Sequence, residues 1–297
     1  MLLVTGATGF VGTNIMKEVG KKRKDIRILD IDIGSAKRLY PKYETVRGDI
    51  TKPETLKWVG KDVDIVIHLA GLVSYSKPRD VLFRVNTEGT KNVLETCKEA
   101  DKLIFSSSVS VYGEIKGQAD ESYPRDPKTP YGESKRKAEN LVRDSGLRNL
   151  IFRIAPIYGE GSPQWLKNLS LLEKGFPISR TENLTHVTHI SNAVQAFMLG
   201  LKPKSEGIYN IADERPVKFV EFAETLVEML GKEVKVLPYW FVSFLARFKG
   251  MKTYLDVLTM NRNYDIANAI NELNYKPKLD FLGELEKMVE WYKNSKT

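Results

Sequence analysis

Along the first half of the chain, short continuous apolar runs alternate with longer stretches in which apolar residues recur at helical spacing. Short apolar runs occur at the N-terminus and at residues 26–30, 63–69, 102–105 and 150–154, and their length is typical of buried strands. Between them, residues 80–99 and 131–144 carry apolar positions at helical spacing. Strands that alternate with amphipathic helices predict an α/β protein, in which helices cover both faces of a parallel sheet.

The second half of the chain has a different pattern. From about residue 156, glycine and proline mark loops between smaller elements, although residues 191–230 return to helix, strand and helix and residues 264–294 predict two more helices. We therefore expect one domain over residues 1–155 and a smaller α/β substrate lobe over residues 156–297. Part of the second segment, residues 191–212, is expected to return to the first domain.

A glycine-spaced turn follows the first strand. Residues 4–12 read Val-Thr-Gly-Ala-Thr-Gly-Phe-Val-Gly. Gly6 permits the tight turn, Gly9 lets backbone approach a phosphate, and Gly12 lets the helix pack close to the strand. The second strand ends in Asp30, at the distance expected of a ribose-binding carboxylate. The set predicts a doubly wound, Rossmann-type sheet that binds a dinucleotide.

Asp30 also bears on which dinucleotide is bound. Its carboxylate would accept hydrogen bonds from both ribose hydroxyls and repel a 2′-phosphate, which favours NAD over NADP. Lys37 and Arg38 lie nearby in the sequence and would support NADP if a shifted loop brought them to that phosphate.

Composition narrows the function classes. The chain has 42% hydrophobic and 28% charged residues, as ordinary globular proteins do. One cysteine and three histidines argue against a disulfide framework and against a metal site. The net charge of +8 is spread along the chain, so no nucleic-acid partner is expected. No secretory signal is visible, which predicts a cytoplasmic protein, and the few glutamines beside abundant Lys and Glu favour a thermophilic source.

Tyr131 and Lys135 form the strongest candidate for chemistry. They stand at i and i+4, so they share one face of a helix that begins after Pro130. A tyrosine is a poor base near neutral pH, and an adjacent ammonium favours its phenolate form. The pair predicts proton exchange with a substrate hydroxyl, whereas the same spacing at Tyr112 and Tyr292 lacks this helical context.

With this pair, the chain resembles the extended short-chain dehydrogenase/reductase superfamily, which includes nucleotide-sugar epimerases and 3β-hydroxysteroid-dehydrogenase-like enzymes. The resemblance covers nearly the whole chain, and its motifs occur in order. They are the turn at residues 5–12, Asp30, Gly-Asp-Ile at 48–50, Ile-His-Leu-Ala-Gly at 67–71, Asn-Thr-Glu-Gly-Thr at 86–90, the serine strand at 106–113, and Tyr131 with Lys135.

The resemblance implies a role for each matching residue. Tyr131 would be the acid/base, Lys135 would lower its pKa and hold the nicotinamide ribose, Ser108 would bind the substrate oxygen, and Asn86 would support the lysine through water. The cofactor would be NAD, and family members commonly form homodimers through the helices at 80–99 and 131–144. The implied NAD contacts are Gly6, Gly9, Phe10, Val11, Asp30, Ile31, Asp49, Ile50, Leu69, Ala70, Gly71, Asn86, Ser106, Tyr131, Lys135 and Pro156.

Departures from the family pattern narrow the reaction. Family 4,6-dehydratases carry Asp-Glu where this chain has Val109 and Ser110, so elimination of water is not expected. Pro156 replaces an asparagine found in many nucleotide-sugar enzymes, and this favours the hydroxysteroid-dehydrogenase branch. We expect reversible hydride transfer between NAD and a secondary alcohol or ketone. A nucleotide-sugar 4-epimerase is the alternative, and a non-catalytic NAD-binding regulator is a third.

The substrate side is less patterned. The pocket is expected beyond the carboxyl ends of the strands, walled by residues 73–76, 157–190 and 236–250, with Arg180 or Arg262 available to a diphosphate. The aromatic run at 236–245 has two interpretations, a membrane-surface helix or a helix packed on the lobe, and the second is favoured. His68 is expected in the core and His189 in structural hydrogen bonds, whereas His186 is left as a pocket residue.

Overall fold

The computed structural model describes residues 1–233, 235–277 and 280–296. Thirteen strands occur in these ranges. They are β1 Leu2–Thr5, β2 Ile26–Asp30, β3 Glu44–Arg47, β4 Ile65–His68, β5 Lys102–Ser108, β6 Arg148–Ile154, β7 Ile157–Tyr158, β8 Ile178–Arg180, β9 Leu184–Thr185, β10 Thr188–His189, β11 Gly207–Ile211, β12 Val217–Lys218 and β13 Val236–Pro238.

Twelve α-helices accompany these strands in the same ranges. They are α1 Phe10–Lys22, α2 Ile33–Leu39, α3 Arg79–Phe83, α4 Gly89–Thr96, α5 Pro130–Arg143, α6 Pro163–Glu173, α7 Ile190–Gly200, α8 Phe219–Met229, α9 Tyr239–Phe248, α10 Lys252–Thr259, α11 Ala267–Leu273 and α12 Phe281–Asn294. A wider, π-type turn over Arg84–Glu88 joins α3 to α4.

Seven strands form one sheet in the order β11-β6-β5-β4-β1-β2-β3. Every neighbouring pair is parallel. From β1 the chain adds β2 and then β3 on one side. It then crosses to the other side of β1, where it adds β4, β5, β6 and finally β11. The strand order therefore reverses between β1 and β4, where ligands bind in sheets of this kind. The predicted doubly wound parallel sheet is confirmed.

Apolar side chains of successive strand residues point to opposite faces of the sheet, and both faces are buried. Leu2 and Val4 belong to a cluster with α1 and α7, whereas Leu3 belongs to a second cluster with α4 and α5. This double burial is the reason why the strands appear in the sequence as continuous apolar runs rather than as alternating ones.

The remaining elements form smaller layers. Helices α6, α8 and α12 enclose a cluster that contains Trp165, Phe222, Leu226 and Leu285. Three strand pairs, β10 with β7, β12 with β9 and β13 with β8, link the loops of this region. The division at residue 155 stays a prediction, although β11 adds to the main sheet beside β6 as expected.

Two elements near β2 escaped the sequence analysis. Helix α2 has only seven residues, and β3 is an edge strand whose residues are all at least partly exposed. Neither carries the apolar run or the long period that marks the other elements. Across the residues described, no helix combines the length and the apolarity needed to cross a membrane.

A buried ion pair fastens α5 to the sheet. The Arg153 guanidinium on β6 donates through Nε and Nη2 to the Glu139 carboxylate on α5, at 3.1 and 2.9 Å. Ser107 on β5 and Arg125 also donate to this carboxylate. Glu139 is fully buried and Arg153 is 2% exposed. Such a pair is stabilising only while every partner is present, because an unpaired buried charge is costly.

We expect Arg153→Met to lower the free energy of unfolding by about 3–5 kcal/mol, since it leaves the Glu139 carboxylate buried without its main partner. Urea denaturation followed by circular dichroism measures the change. Lys91→Met removes an exposed i,i+4 pair with Glu95 and serves as the control, with an expected change of about 0.5 kcal/mol or less. Equal effects of the two substitutions would contradict the role given to the buried pair.

Candidate active site

The glycine turn joins β1 to α1 with almost no free space. Gly6 has φ +72°, and a Cβ built there would lie 2.9 Å from the Ala70 nitrogen. A Cβ on Gly12 would lie 2.2 Å from the Gly6 carbonyl oxygen. Gly9 is the N-cap of α1 and supplies no side-chain cap, so no capping side chain occupies the first-turn N–H groups, which include those of Phe10 and Val11. The turn can therefore receive an anion.

Asp30 lies beside this turn at the end of β2. Its Oδ2 accepts hydrogen bonds from the Thr8 nitrogen and hydroxyl at 3.0 and 2.9 Å, and its Oδ1 accepts one from the Asp32 nitrogen at 3.1 Å. A carboxylate has about four acceptor positions, so capacity for a ribose hydroxyl remains. Ile31, the next residue, is 65% exposed and free to lie against a ligand. The Arg38 guanidinium donates to Ser35 instead.

Asp49 and Ile50 follow β3 and have structural contacts. The Asp49 Oδ1 accepts hydrogen bonds from the Thr51 nitrogen and hydroxyl at 2.9 and 2.8 Å. Ile50 is buried below α4, where a Cβ on Gly89 would lie 2.6 Å from its Cδ1. Their place near Asp30 follows from the Gly48 nitrogen, which donates to the Asp30 carbonyl at 3.1 Å. Their contacts with a cofactor stay a prediction.

The end of β4 connects the turn with the reactive side chains. The nitrogens of Leu69 and Ala70 donate to the Thr5 hydroxyl at 3.2 and 3.1 Å. A Cβ on Gly71 would lie 3.1 Å from the Asn86 Oδ1 and 4.0 Å from the Lys135 Nζ. The missing side chain at Gly71 thus leaves a cradle in front of the lysine.

Ser108, Tyr131 and Lys135 lie at the carboxyl end of β5, where the Ser108 and Tyr131 side chains form a hydrogen bond. Ser108 ends β5, and the other two lie on the first turns of α5. Helix α5 begins at Pro130, and the Thr129 hydroxyl caps it by accepting the Gly132 nitrogen at 3.1 Å. The Lys135 ammonium donates to the Ser106 carbonyl and lies 4.3 Å from the centre of the Phe105 ring. These contacts fix the lysine without satisfying all its donors.

Burial is the main cause of the pKa shifts of Tyr131 and Lys135. It raises the pKa of Tyr131 well above its ordinary value, against the opposing effect of the hydrogen bond with Ser108. Burial also lowers the pKa of Lys135 to about 8, and the Glu139 carboxylate opposes this shift. The phenol is therefore protonated near neutral pH, which equips it to donate a proton. Burial, and not the charge of Lys135, sets the direction of this pKa shift, so the expected lowering by Lys135 stays a prediction.

Asn86 lies in the π-type turn, a feature frequent at functional sites. Its Oδ1 accepts the Leu72 nitrogen at 2.7 Å, and its Nδ2 donates to the Leu72 carbonyl and the Ser134 hydroxyl at 2.9 and 3.0 Å. The amide ties the chain after β4 to α5, directly beside Lys135. This is a positioning role, and the water-mediated contact stays a prediction.

The histidines have structural partners. Thr90 donates to the Asn86 carbonyl, so it accepts from the His68 Nε2 at 3.0 Å, and the His68 Nδ1 accepts from Thr5 at 2.8 Å. The His189 Nδ1 lies 2.8 Å from the Ser191 hydroxyl. The prediction that His186 is a pocket residue is wrong. Its ring is buried, accepts the Tyr264 nitrogen at Nδ1, and donates from Nε2 to the Asp213 carbonyl.

Two tyrosines form the wall opposite Tyr131. The Tyr75 ring lies edge-on to Tyr131 with centres 5.9 Å apart, and Tyr254 on α10 lies 6.2 Å from Tyr75. Tyr75 falls in the wall predicted at residues 73–76, whereas Tyr254 was missed because no motif marks α10. Of the arginines considered for a diphosphate, Arg262 is buried and donates to the Val257 carbonyl, while Arg180 is exposed.

Pro156 stands where the chain leaves the main sheet after β6. Its carbonyl accepts the Thr188 nitrogen at 3.0 Å, next to the pairing of β10 with β7. The proline therefore lies at the junction between the sheet and the second-half loops, on the side to which the carboxyl ends of the strands point.

Known proteins match both the sequence and this architecture. A model of the 3-beta hydroxysteroid dehydrogenase/isomerase family matches residues 3–239. The decarboxylating sterol-4-alpha-carboxylate 3-dehydrogenase of Mus musculus is 30% identical over 82% of this chain and 73% of its own. A putative UDP-glucose 4-epimerase of Methanocaldococcus jannaschii is 28% identical over 99% of each chain. The dTDP-glucose 4,6-dehydratase of Streptomyces venezuelae, solved with NAD, shares the fold with a TM-score of 0.83 at 22% identity, covering 99% of this chain and 97% of its own.

The buried histidines make stability depend on pH. Burial lowers the pKa of His68 to about 3 and that of His186 to about 4, below their ordinary values. The unfolded chain therefore binds more protons, and stability that is complete above pH 6.5 is lost as the pH falls towards these values. We expect a loss of roughly 2 kcal/mol per histidine between pH 6.5 and 5, measured by urea denaturation.

The variant His68→Gln isolates one of these contributions. The carboxylates titrate equally in both proteins, so the difference between the two pH profiles belongs to His68. We expect the variant to be less stable at pH 7 and to lose less stability on acidification. Parallel profiles over this range would contradict the neutral, buried state of His68.

Proposed function

The chain belongs to the 3-beta hydroxysteroid dehydrogenase/isomerase family, within the extended short-chain dehydrogenases/reductases, and we propose that it is an NAD-dependent oxidoreductase acting reversibly on a secondary alcohol or ketone. The observation that carries this proposal is the hydrogen bond between the Ser108 and Tyr131 side chains at the carboxyl end of β5, with Lys135 one helical turn after Tyr131.

The residues of the turn and the cradle fit the proposed cofactor. Gly6 and Gly9, with the first-turn N–H groups of α1, suit a pyrophosphate, and Asp30 suits an unphosphorylated ribose. The space in front of Gly71 lies next to Lys135, which retains donors for the second ribose. When bound, NAD supplies the acceptor or donor of the hydride.

The side chains divide the proton chemistry among them. In the reducing direction, the protonated Tyr131 donates to the oxygen of the ketone while Ser108 holds that oxygen by a hydrogen bond. In the oxidising direction, the Tyr131 phenolate accepts the proton of the alcohol. Lys135 stabilises the phenolate by its charge, and Asn86 positions the helix that carries both residues.

Residues Val109 and Ser110 support a reaction without elimination. They follow Ser108 directly, where a dehydratase would need a carboxylate to move the second proton. Val109 is buried and apolar, and the Ser110 hydroxyl is engaged with Ser108 at 3.2 Å. The proposed reaction is therefore a single reversible hydride transfer.

A nucleotide-sugar 4-epimerase is the second candidate, favoured by the relative from Methanocaldococcus jannaschii that matches 99% of this chain. An epimerase oxidises and re-reduces the same carbon, so it produces no net NADH. Absorbance at 340 nm therefore separates the two proposals. Net change with secondary alcohols supports the dehydrogenase, and conversion of a UDP-sugar without net change supports the epimerase.

From sequence and resemblance we also propose a homodimer in the cytoplasm of a thermophilic source. The segments expected at the dimer contact, residues 80–99 and 131–144, expose charged residues of both signs, which suit a self-complementary surface. These residues are Lys91, Glu95, Lys98, Lys137, Arg143 and Asp144.

We expect Tyr131→Phe to reduce kcat by about a thousandfold or more, because it removes the group that exchanges the proton, while the Kd for NAD stays nearly unchanged. Steady-state kinetics and calorimetry measure the two quantities.

In the wild type, the oxidation rate should rise with pH across the alkaline range, since burial raises the pKa of the Tyr131 phenol.

Tyr43→Phe is the matched control, because its hydroxyl donates to the Gly20 carbonyl on α1 at 3.4 Å. It should keep wild-type kinetics. A Tyr131→Phe enzyme with full activity on the true substrate would overturn the proposed mechanism.

The charge of Asp30 generates a prediction on cofactor choice. The wild type should bind NAD at least about tenfold more tightly than NADP, and Asp30→Asn should narrow this ratio, because the repulsion of the 2′-phosphate is removed. Isothermal titration calorimetry with both cofactors gives the ratio. Asp32→Asn, an exposed carboxylate two residues away, is the control. Tighter binding of NADP by the wild type would refute the assignment.

A further inference from the structure

Helix α9 exposes a stripe of aromatic side chains. Trp240, Phe244 and Phe248 follow one another at intervals of four residues and are 71%, 56% and 77% exposed. The Phe244 and Phe248 rings pack edge to face with centres 4.8 Å apart, and Trp240 packs in the same way on Phe241. Aromatic residues this exposed are unusual unless a partner covers them.

The orientation of the stripe is fixed by the opposite side of the helix. Val242 and Ala246 are fully buried and pack with Leu255 of α10. On a helical wheel these residues lie opposite the stripe. The helix could not turn its aromatic side inward without exposing this cluster, so the stripe is a fixed part of the surface.

Two basic residues lie at the C-terminal end of the helix. Arg247 borders the stripe in the last turn of α9, three residues after Phe244, whereas Lys249 caps the helix and its ammonium lies 5.6 Å from the centre of the Phe176 ring. Within the described part of the chain, neither forms a salt bridge, in contrast to Lys252, which pairs with Asp256. An aromatic stripe bordered by Arg247, with a second cation at the helix end, matches the boundary between acyl chains and anionic headgroups.

The size of the stripe favours a lipid surface over a second copy of the chain. An aromatic side chain offers about 150–250 Å² when fully exposed, so these three offer roughly 400 Å². A stable protein interface needs about 800 Å² on each partner. Helix α9 rises only about 15 Å, half of a bilayer core, and would lie along the surface.

The inner side of the same helix borders an apolar cavity of about 80 Å³. Ala246 of α9 and Met251, Tyr254 and Leu255 of the following segment line it, together with Phe222. Tyr254 contacts Tyr75, whose ring contacts Tyr131. A continuous apolar and aromatic path thus leads from the helix to the proposed acid/base.

We propose that α9 docks the protein on the surface of an anionic lipid bilayer and admits lipophilic secondary alcohols or ketones from it. Docking needs only the stripe and its basic border. Admission of the substrate rests on the proposed function, with the cavity receiving part of the apolar body.

Vesicle flotation with the full chain tests docking directly. The probes are vesicles of phosphatidylcholine alone and of phosphatidylcholine mixed with phosphatidylglycerol. We expect the wild type to float with the mixed vesicles. The triple variant W240S/F244S/F248S should bind these vesicles about tenfold more weakly than the wild type, or more weakly still. Trp58→Ser, which removes a tryptophan 77% exposed elsewhere, should bind as the wild type does.

A second pair of variants tests the charges. Arg247→Gln with Lys249→Gln should weaken binding to the anionic vesicles by about tenfold or more, and added salt should weaken wild-type binding. Lys22→Gln with Lys24→Gln removes the same charge from a remote exposed segment and should have a smaller effect. Equal losses from the two pairs would show nonspecific attraction and overturn the assignment to α9.

Further outcomes are decisive against the proposal. Wild-type protein that fails to float, or a correctly folded triple variant that floats equally, would overturn docking. If sedimentation shows that the wild type self-associates and that only the triple variant does not, the stripe would be assigned to contact with a second copy of the chain. Thermal melting by circular dichroism establishes that the variants fold.

Activity measurements separate docking from the proposed function. On a sterol-like secondary alcohol held in vesicles, the triple variant should lose kcat/KM by about tenfold or more, while a water-soluble secondary alcohol is turned over equally. If the wild type and the triple variant have equal kcat/KM on the vesicle substrate, the proposal that α9 admits substrate from the bilayer would be overturned. Flotation without any NAD-dependent turnover would refute the proposed function and leave docking intact.

Discussion

The close approach of β1 and β4 at their carboxyl ends is the constraint on which the site depends. The Thr5 hydroxyl accepts two backbone N–H groups after β4 and donates to His68. Gly6 carries no side chain, so the Ala70 backbone can lie against it. This contact places the glycine turn next to Gly71, and through Gly71 next to Asn86 and Lys135. A larger residue at Gly6 would separate the anion-binding turn from the reactive side chains.

A second constraint is the set of hydrogen bonds that holds helix α5 against the sheet. The Glu139 carboxylate lies one helical turn after Lys135 and collects hydrogen bonds from Ser107 on β5 and Arg153 on β6. The helix that carries Tyr131 is thereby held against the strand that carries Ser108. The same buried charge opposes the lowering of the Lys135 pKa by desolvation. Structural stability and the electrostatics of the site therefore share one ion pair.

The second half of the chain uses apolar residues in a different way. In the main sheet, nearly all of them are buried between helices and strands. Around α9 they are divided between an inner cluster with Val242 and Ala246 and an outer stripe with Trp240 and Phe248. The favoured interpretation of a helix packed on the lobe thus accounts for one side of α9 only. The outer stripe is the surface that we propose to dock on lipid.

The sequence by itself determined the parallel sheet, the glycine turn and the family, because these depend on local periodicity and on ordered motifs. Elements without a strong period, α2 and β3, escaped it, since a seven-residue helix and a half-exposed edge strand carry little local signal. Only the tertiary structure decided the partners of His186, the approach of Tyr254 to Tyr75, and the dominance of burial in the pKa of Tyr131. Each of these depends on residues distant in the chain, whose distances and burial no local pattern encodes.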